Sequence, residues 1–300
     1  MKFNKIPLSI DDQIKLLQDR GLIFSDLKSA KSTLSNISYY RLAGYWWSFQ
    51  IDKVNHKFYD GTSFEDIIEL YDFDAQLRQI IFKVIEKNEI GLRTKLIHYL
   101  SQEFSPWWFE NPSLFKNQVA FENSLNTIKS EVYRSKDEFI KTHFIKYKND
   151  KRLPPSWKAL EITSLGTISK LYGNLKNQIE AKDKIAKDFG AVNHQYLPSW
   201  LQSMTYIRNL CAHHNRLFNK RLVIKPKLLK SPPQLFISRI PSDHSQIYLH
   251  LCLLIYMYSK VSPENNVKKE LIDLFKRYPH IKLSDLGFPP KWNSEPFWLP

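Results

Sequence analysis

The chain has 300 residues, of which 44 are lysine or arginine and 30 are aspartate or glutamate, for a formal net charge of +14. This length allows one large core or two small ones, and the charge suits a polyanionic partner, although many basic proteins are charged only for solubility. Two cysteines argue against a disulfide framework, the segment MKFNKIPLSI lacks an apolar signal region, and the most apolar run, 247–257, is too short to cross a bilayer. We therefore expect a cytoplasmic protein without a membrane partner.

The first 62 residues predict two helices and a short irregular segment. Ser9 suits an N-cap and Gly21 a helix end, so we expect a helix over 9–20. A second helix is predicted from Leu27 to about Trp47. Residues 48–62 lack helical periodicity, which indicates a small hairpin or a loop.

The end of the second predicted helix is dense in aromatic residues next to Arg41. Tyr40 and its neighbours could stack unpaired bases beside this cation, as proteins that hold single-stranded RNA do. The competing interpretation is core packing, because large aromatic side chains in such numbers are usually buried. The aromatic residues are Tyr39, Tyr40, Tyr45, Trp46 and Trp47.

Residues 63–104 repeat apolar positions at helical spacing, which predicts one long helix or two joined by a slight break. Glu86, Glu89 and Arg93 lie at i, i+3 and i+7 on it. Surface pairing of Glu89 with Arg93 is the ordinary explanation. The alternative is that Glu86 or Glu89 packs opposite Arg208, in a later helix, and fixes its guanidinium group.

A proline-punctuated aromatic loop over 105–113 precedes two predicted helices, 118–136 and 137–147, whose exposed faces are rich in lysine. The basic stretch continues to the paired prolines at 154 and 155. It suits a solvated surface, which charge runs usually form, or a phosphate track for RNA. The basic residues are Lys141, His143, Lys146, Lys148, Lys151 and Arg152.

Three short helices are predicted over 156–161, 164–176 and 178–189. They lead to a longer helix over 196–219, in which Pro198 suits the first turn. This longer helix carries the most informative pattern in the chain.

The predicted helix over 196–219 has an apolar arc and a polar face. At about 100° per residue, Asn209, His213 and Arg216 share one polar stripe, with Arg208 on the same side but rotated away. His214 falls in the middle of the apolar arc, so we expect it to be buried with a hydrogen-bond partner. Two arginines, an amide and an imidazole together could handle a phosphate, whereas the polar face of an arbitrary helix is usually only solvated.

The remaining chain predicts an irregular basic segment over 220–242, helices over 245–260 and 265–278, and an extended strap over 289–300. The irregular segment could lie near the end of the preceding helix and reach RNA. Its candidate RNA-binding residues are Lys220, Arg221 and Lys225.

The segment RNLCAH, residues 208–213, resembles the R-x4-6-H motif of the HEPN superfamily. On a wider set of segments, the chain is similar to the abortive-infection (Abi-like) family within that superfamily. The matching segments are SYYRLAGYW (38–46), YDFDAQLR (71–78), IEKNEIGLRT (85–94), LPPSWKALEITSLGTISKLYGNLK (153–176) and SWLQSMTYIRNLCAHHNRLFNKRL (199–222). The resemblance implies an all-α, HEPN-type helical bundle. We expect a core over 63–222 with extensions over 1–62 and 223–300, packed as one unit.

HEPN proteins are often metal-independent ribonucleases, so the resemblance implies phage defence through RNA cleavage, with no cofactor. In that reaction the ribose 2′-hydroxyl attacks the adjacent phosphorus and leaves a cyclic phosphate. Histidine suits the proton transfer, and arginine suits the charge of the transition state. We therefore predict catalytic roles for His213 and Arg208, with Asn209 orienting the site and Arg216 in support.

The attacking and leaving oxygens lie on opposite sides of the phosphorus, so one imidazole serves both only by moving, and the motif occurs once in the chain. Two copies related by a two-fold axis would supply the pair. HEPN ribonucleases generally form such composite sites. We therefore predict a homodimer.

Two other functions remain open. The protein could bind RNA without cleavage, held by a dedicated small non-coding RNA as the resemblance allows, or it could be an interaction component that senses infection. The sequence has no HExxH motif, too few cysteines for a zinc site, and no phosphate-binding loop of the G-x-x-x-x-G-K-[ST] type. A dedicated metal enzyme and a glycine-dependent nucleotide-binding fold are therefore disfavoured.

Overall fold

The computed structural model describes residues 6–299, and α-helices dominate this range, which confirms the all-α prediction. Residues 1–5 of the predicted N-terminal extension and Pro300 of the predicted strap lie outside it. Between residues 6 and 299, no helix is both long enough and apolar enough to cross a membrane.

The N-terminal region contains three helices and a hairpin. Helix α1 spans Ile10–Asp19, and the Ser9 hydroxyl accepts the amide of Asp12 at 3.1 Å, as expected of an N-cap. The predicted hairpin is confirmed by the antiparallel strands β1, Gln50–Asp52, and β2, Lys57–Phe58.

The single helix predicted over 27–47 is wrong, because the chain forms α2, Leu27–Asn36, and α3, Tyr39–Trp46. The backbone is extended at Ile37, and the Ser38 hydroxyl then caps α3. A polar cap at the start of the aromatic segment therefore begins a new helix.

Helix α4, Phe64–Glu103, is one continuous helix of 40 residues. Its start is fixed by a capping box in which the Ser63 hydroxyl accepts the amide of Asp66 and the Asp66 carboxylate accepts the amide of Ser63. At roughly 1.5 Å per residue the helix is about 60 Å long. Helix α3 and six helices that follow α4 in the chain pack against it, so α4 is the axis of the core.

The remaining helices lie close to their predicted positions. The middle of the chain forms α5, Gln118–Arg134; α6, Glu138–Lys146; α7, Ser156–Ala159; α8, Leu165–Asn174; and α9, Glu180–Asp188. The C-terminal part forms α11, Ile247–Val261, and α12, Val267–Arg277. Helix α11 is apolar on all sides and is buried from Ile247 through Tyr258 against the core.

The helix that carries the motif is shorter than predicted. Helix α10 spans Leu197–Ala212 rather than 196–219. The backbone enters the left-handed region at His214, where φ is +54°, and the helix cannot continue through that conformation. Arg216 therefore does not continue the predicted polar stripe.

Candidate active site

Helix α10 ends in a Schellman turn. The amide of His214 donates to the carbonyl of Cys211 at 3.0 Å, and the amide of Asn215 donates to the carbonyl of Leu210 at 2.8 Å. His214 occupies the left-handed position of the turn, where glycine is usual because it has no Cβ. The prediction that His214 is buried is wrong, since the turn leads this residue off the apolar face and leaves it exposed.

A buried carboxylate fixes the chain just after this turn. Asp74 of α4 has 0% exposure and accepts the amides of Leu217 at 3.1 Å and Phe218 at 2.9 Å. It also accepts the hydroxyl of Tyr45 at 2.8 Å and pairs with the Arg78 guanidinium. Burial raises the pKa of Asp74, while Arg78, Tyr45 and the two amides act in the opposite direction because they stabilise the charged form.

Helix α3 holds the same turn from another side. The Arg41 Nη1 atom donates to the carbonyl of His214 at 2.8 Å, and the Arg216 Nη1 atom donates to the carbonyl of Gly44. The turn is thus enclosed by a clamp of five side chains: Arg41, Tyr45, Asp74, Arg78 and Arg216. Arg41, which was predicted to bind RNA, and Arg216, which was predicted to support the reaction, are therefore bonded to main-chain carbonyls.

The motif side chains make few contacts with the protein. The Arg208 Nη1 atom lies 3.5 Å from the Asn209 Oδ1 atom, and the buried Arg208 Nε atom has no hydrogen-bond partner within residues 6–299. His213 caps α10 through its amide, which donates to the carbonyl of Asn209 at 3.0 Å. Its imidazole is exposed and forms no hydrogen bond with the described part of the chain. Both side chains can therefore contact a ligand without breaking a strong internal bond.

The two glutamates on α4 do not hold Arg208. Glu89 pairs with Arg93 at 2.7 Å, so the predicted pairing is confirmed, but Arg93 is buried rather than at the surface and also donates to the carbonyl of Thr163 at 2.7 Å. Neither Glu86 nor Glu89 forms a salt bridge with Arg208 in the residues that the structure describes. The predicted glutamate contact with Arg208 is therefore wrong, because Glu89 is bound by Arg93 one turn later on its own helix.

A groove of about 640 Å³ lies between α4 and the end of α10. Arg78, Lys83, Glu86 and His214 supply its charged and titratable lining, and Cys211 lies at its wall. Burial raises the pKa of the Cys211 thiol to about 12, so this cysteine is not a thiolate nucleophile at neutral pH. Pockets of this size hold small ligands in many proteins.

Some predicted RNA-binding residues lie at this end of α4. Arg41 contacts the turn directly, and the neighbouring Tyr40 is 90% exposed. Lys220, Arg221 and Lys225 follow the clamped segment, and Arg221 forms an exposed ion pair with an aspartate of the same irregular region. Tyr40 and Arg41 therefore lie beside the turn, whereas Lys220, Arg221 and Lys225 only follow it along the chain.

The other predicted RNA-binding residues, Lys141, Lys146 and Arg152, belong to the far end of α4. At that end of α4, the hydroxyls of Ser101 and Ser156 form a hydrogen bond of 2.8 Å. Ser156 is the first residue of α7, against which α6 packs. The path along α4 from the clamp to Ser101 is about 35 Å. Arg152 pairs with an aspartate at 2.7 Å and stacks on an indole ring at 3.5 Å. The structure therefore does not bring these residues to the motif.

Asp74 and Arg78 were not singled out from the sequence, and Tyr45 was named only among the aromatic residues that could stack bases or pack in the core. A signal existed, since Asp74 and Arg78 stand four residues apart within the apolar repeat of α4 and both are buried. Charged residues at core positions normally need a partner at that spacing or across the core. The contact of Asp74 with residues 217 and 218 has no local sequence signal.

Among residues 6–299, no group of three or more histidine, cysteine, aspartate or glutamate side chains could hold a metal ion. A family model described as Abi-like protein matches residues 32–219, which include the clamp and the motif. No curated protein and no solved structure matches the chain.

Proposed function

The chain belongs to the Abi-like family, and we propose that it acts in phage defence as a metal-independent endoribonuclease. The observation that carries this proposal is the contrast at the end of α10. The clamp fixes the turn, while Arg208 and His213 make no strong side-chain contact with the described residues 6–299. An arginine and an imidazole free to meet a ligand on a basic protein suit acid-base cleavage of RNA.

In the proposed reaction the 2′-hydroxyl of the RNA attacks the adjacent phosphorus and expels the 5′ oxygen of the next nucleotide. His213 transfers a proton, Arg208 donates hydrogen bonds to the phosphate oxygens, and Asn209 orients the guanidinium that it contacts. The products are a 2′,3′-cyclic phosphate and a 5′-hydroxyl. No cofactor takes part, because the nucleophile belongs to the substrate.

A homodimer is part of the proposal. On α4, Phe82 and Ile90 are 38% and 51% exposed, and Phe82 lines the groove next to the motif. Burial of these apolar side chains against a second copy would be favourable. Such a contact would bring two copies of the site near each other.

The proposal is tested by incubating purified protein with RNA in EDTA and comparing wild type with His213→Ala. The expected result is a cleavage rate lower by about 10² to 10⁴-fold with RNA binding retained. Lys141→Ala, at the far end of α4, is the matched control and should cleave at the wild-type rate.

Equal rates in wild type and His213→Ala would contradict the proposed role. Firm RNA binding without cleavage by the wild type would favour a binding protein instead, such as one held by a small non-coding RNA. RNA that co-purifies with the protein would then be sequenced.

A further inference from the structure

Within residues 6–299, the imidazole of His214 makes no hydrogen bond or ion pair that would hold the fold. The main chain of His214 makes the turn, through its amide to Cys211 and its carbonyl to Arg41. Its side chain forms no hydrogen bond within the described range 6–299 and is exposed. Glycine would suit the φ of +54° better, since a Cβ disfavours the left-handed region. The fold alone therefore does not explain a histidine at this position.

His214 lies where a reacting nucleotide could contact it. Its side chain lines the groove of about 640 Å³ between α4 and α10, whereas His213 is exposed at the preceding residue. Consecutive Cα atoms are about 3.8 Å apart, so the two imidazoles branch from neighbouring points of the backbone. The charged side chains that line the same groove are Arg78, Lys83 and Glu86 of α4, and Arg41 of α3 bonds the main-chain carbonyl of His214.

We propose that His214 is a second catalytic residue and shares proton transfer with His213. This inference rests on the proposed ribonuclease function. One imidazole accepts the proton of the 2′-hydroxyl as the bond from O2′ to phosphorus forms. The other, as imidazolium, donates its proton to the 5′ oxygen as the bond from phosphorus to O5′ breaks.

The first test is His214→Gly, which removes the imidazole and favours the same turn. The expected unfolding temperature is equal to or above that of the wild type, because glycine relieves the left-handed strain. The cleavage rate in EDTA is expected to fall by about 10² to 10⁴-fold, with RNA affinity retained. His214→Asn, which also tolerates the left-handed region, should lose cleavage to the same degree. Wild-type cleavage by either variant would overturn the inference.

A second test separates the two roles. An RNA with sulfur in place of the bridging 5′ oxygen has a leaving group that needs no acid. Either His213→Ala or His214→Gly, but not both, should cleave this substrate nearly as fast as the wild type does. Rescue of both variants or of neither would overturn the division between acid and base.

The two proposals fail in different ways. If the wild type leaves RNA intact in EDTA, the ribonuclease proposal is wrong, and the inference about His214 falls with it. If the wild type cleaves and His213→Ala does not, while His214→Gly remains fully active, only the inference about His214 is wrong.

Discussion

The two ends of α4 bury cationic side chains in different ways. At the motif end, Arg78 pairs with Asp74, whose carboxylate also accepts two amides of the segment after α10. At the other end, Lys182 of α9 is 1% exposed and donates to the Leu175 carbonyl at 2.6 Å and to the Asn177 side chain at 3.1 Å. Within residues 6–299, Lys182 forms no salt bridge.

The difference shows how each end uses its buried charge. Glu103, the last residue of α4, accepts the amide of Ala181 at 2.6 Å and so anchors α9, whereas the Lys182 ammonium group donates only to Leu175 and Asn177 among residues 6–299. At the motif end, the buried ion pair reaches outward to the turn that carries His213 and His214. Buried charge therefore supports a candidate site at one end and local packing at the other.

The largest expected effect is the loss of the clamp. Asp74→Asn should lower the free energy of unfolding by about 3 to 5 kcal/mol, because Arg78 is left buried without an opposite charge. Chemical denaturation measures this change. Glu86→Gln, an exposed substitution on the same helix, should change the free energy by less than about 0.5 kcal/mol. A similar small loss in Asp74→Asn would mean that the clamp does not hold the turn.

Arginines at the two ends should separate catalysis from stability. Arg208→Ala should lower the cleavage rate in EDTA by about 10² to 10³-fold, as the loss of a transition-state hydrogen-bond donor typically does. Its unfolding temperature should stay near that of the wild type, because the one hydrogen bond of the Arg208 side chain to residues 6–299 is a long contact with Asn209.

The control for Arg208 is Arg93→Ala. It removes bonds to Glu89 and to the carbonyl of Thr163, so it should reduce stability while each folded molecule still cleaves RNA. If Arg93→Ala lost cleavage while Arg208→Ala kept it, the catalytic arginine would lie at the Arg93 end of α4 rather than in the motif.

Lys182 should give the far end a distinct pH dependence. Burial lowers its pKa from 10.5 to about 7 in the folded protein. Between these values the unfolded chain holds a proton that the native state lacks, so the free energy of unfolding rises with pH. Lys182→Met removes this term, which amounts to about 2 kcal/mol between pH 7 and pH 9. Parallel stability curves for the two proteins over this range would disprove the shift.

The smallest expected effect concerns RNA binding at the two ends. The paired change Lys220→Glu and Arg221→Glu should weaken RNA binding about tenfold and flatten its salt dependence, because phosphate contacts release counterions. Lys141→Glu with Lys146→Glu alters the net charge equally and should have little effect. Equal losses of RNA affinity from both pairs of substitutions would indicate that the net charge of the protein, rather than the residues near the motif, attracts RNA.

Sequence was sufficient where the signals are local. The start of α4 follows from Ser63 and Asp66, and the bounds of α1 from Ser9 and Gly21, because each cap binds residues next to it. The all-α class was implied by the family resemblance and agreed with the helix patterns.

The end of α10 could not be predicted in the same way. Its stop lacks the usual glycine, and the turn is held by Arg41 and Asp74, which lie far away in sequence. The helical projection was continued through the turn, and it therefore placed His214 on the buried face, where the residue does not lie. The motif residues Arg208 and His213 came from the family resemblance rather than from periodicity.

The most direct test of the central claim is the chemistry of the RNA ends left by the wild-type protein in EDTA. A reaction driven by the 2′-hydroxyl leaves 2′,3′-cyclic phosphates and 5′-hydroxyls, and these ends should disappear with His213→Ala. Fragments that carry 3′-hydroxyls and 5′-phosphates would contradict this account, because water rather than the 2′-hydroxyl would then be the nucleophile.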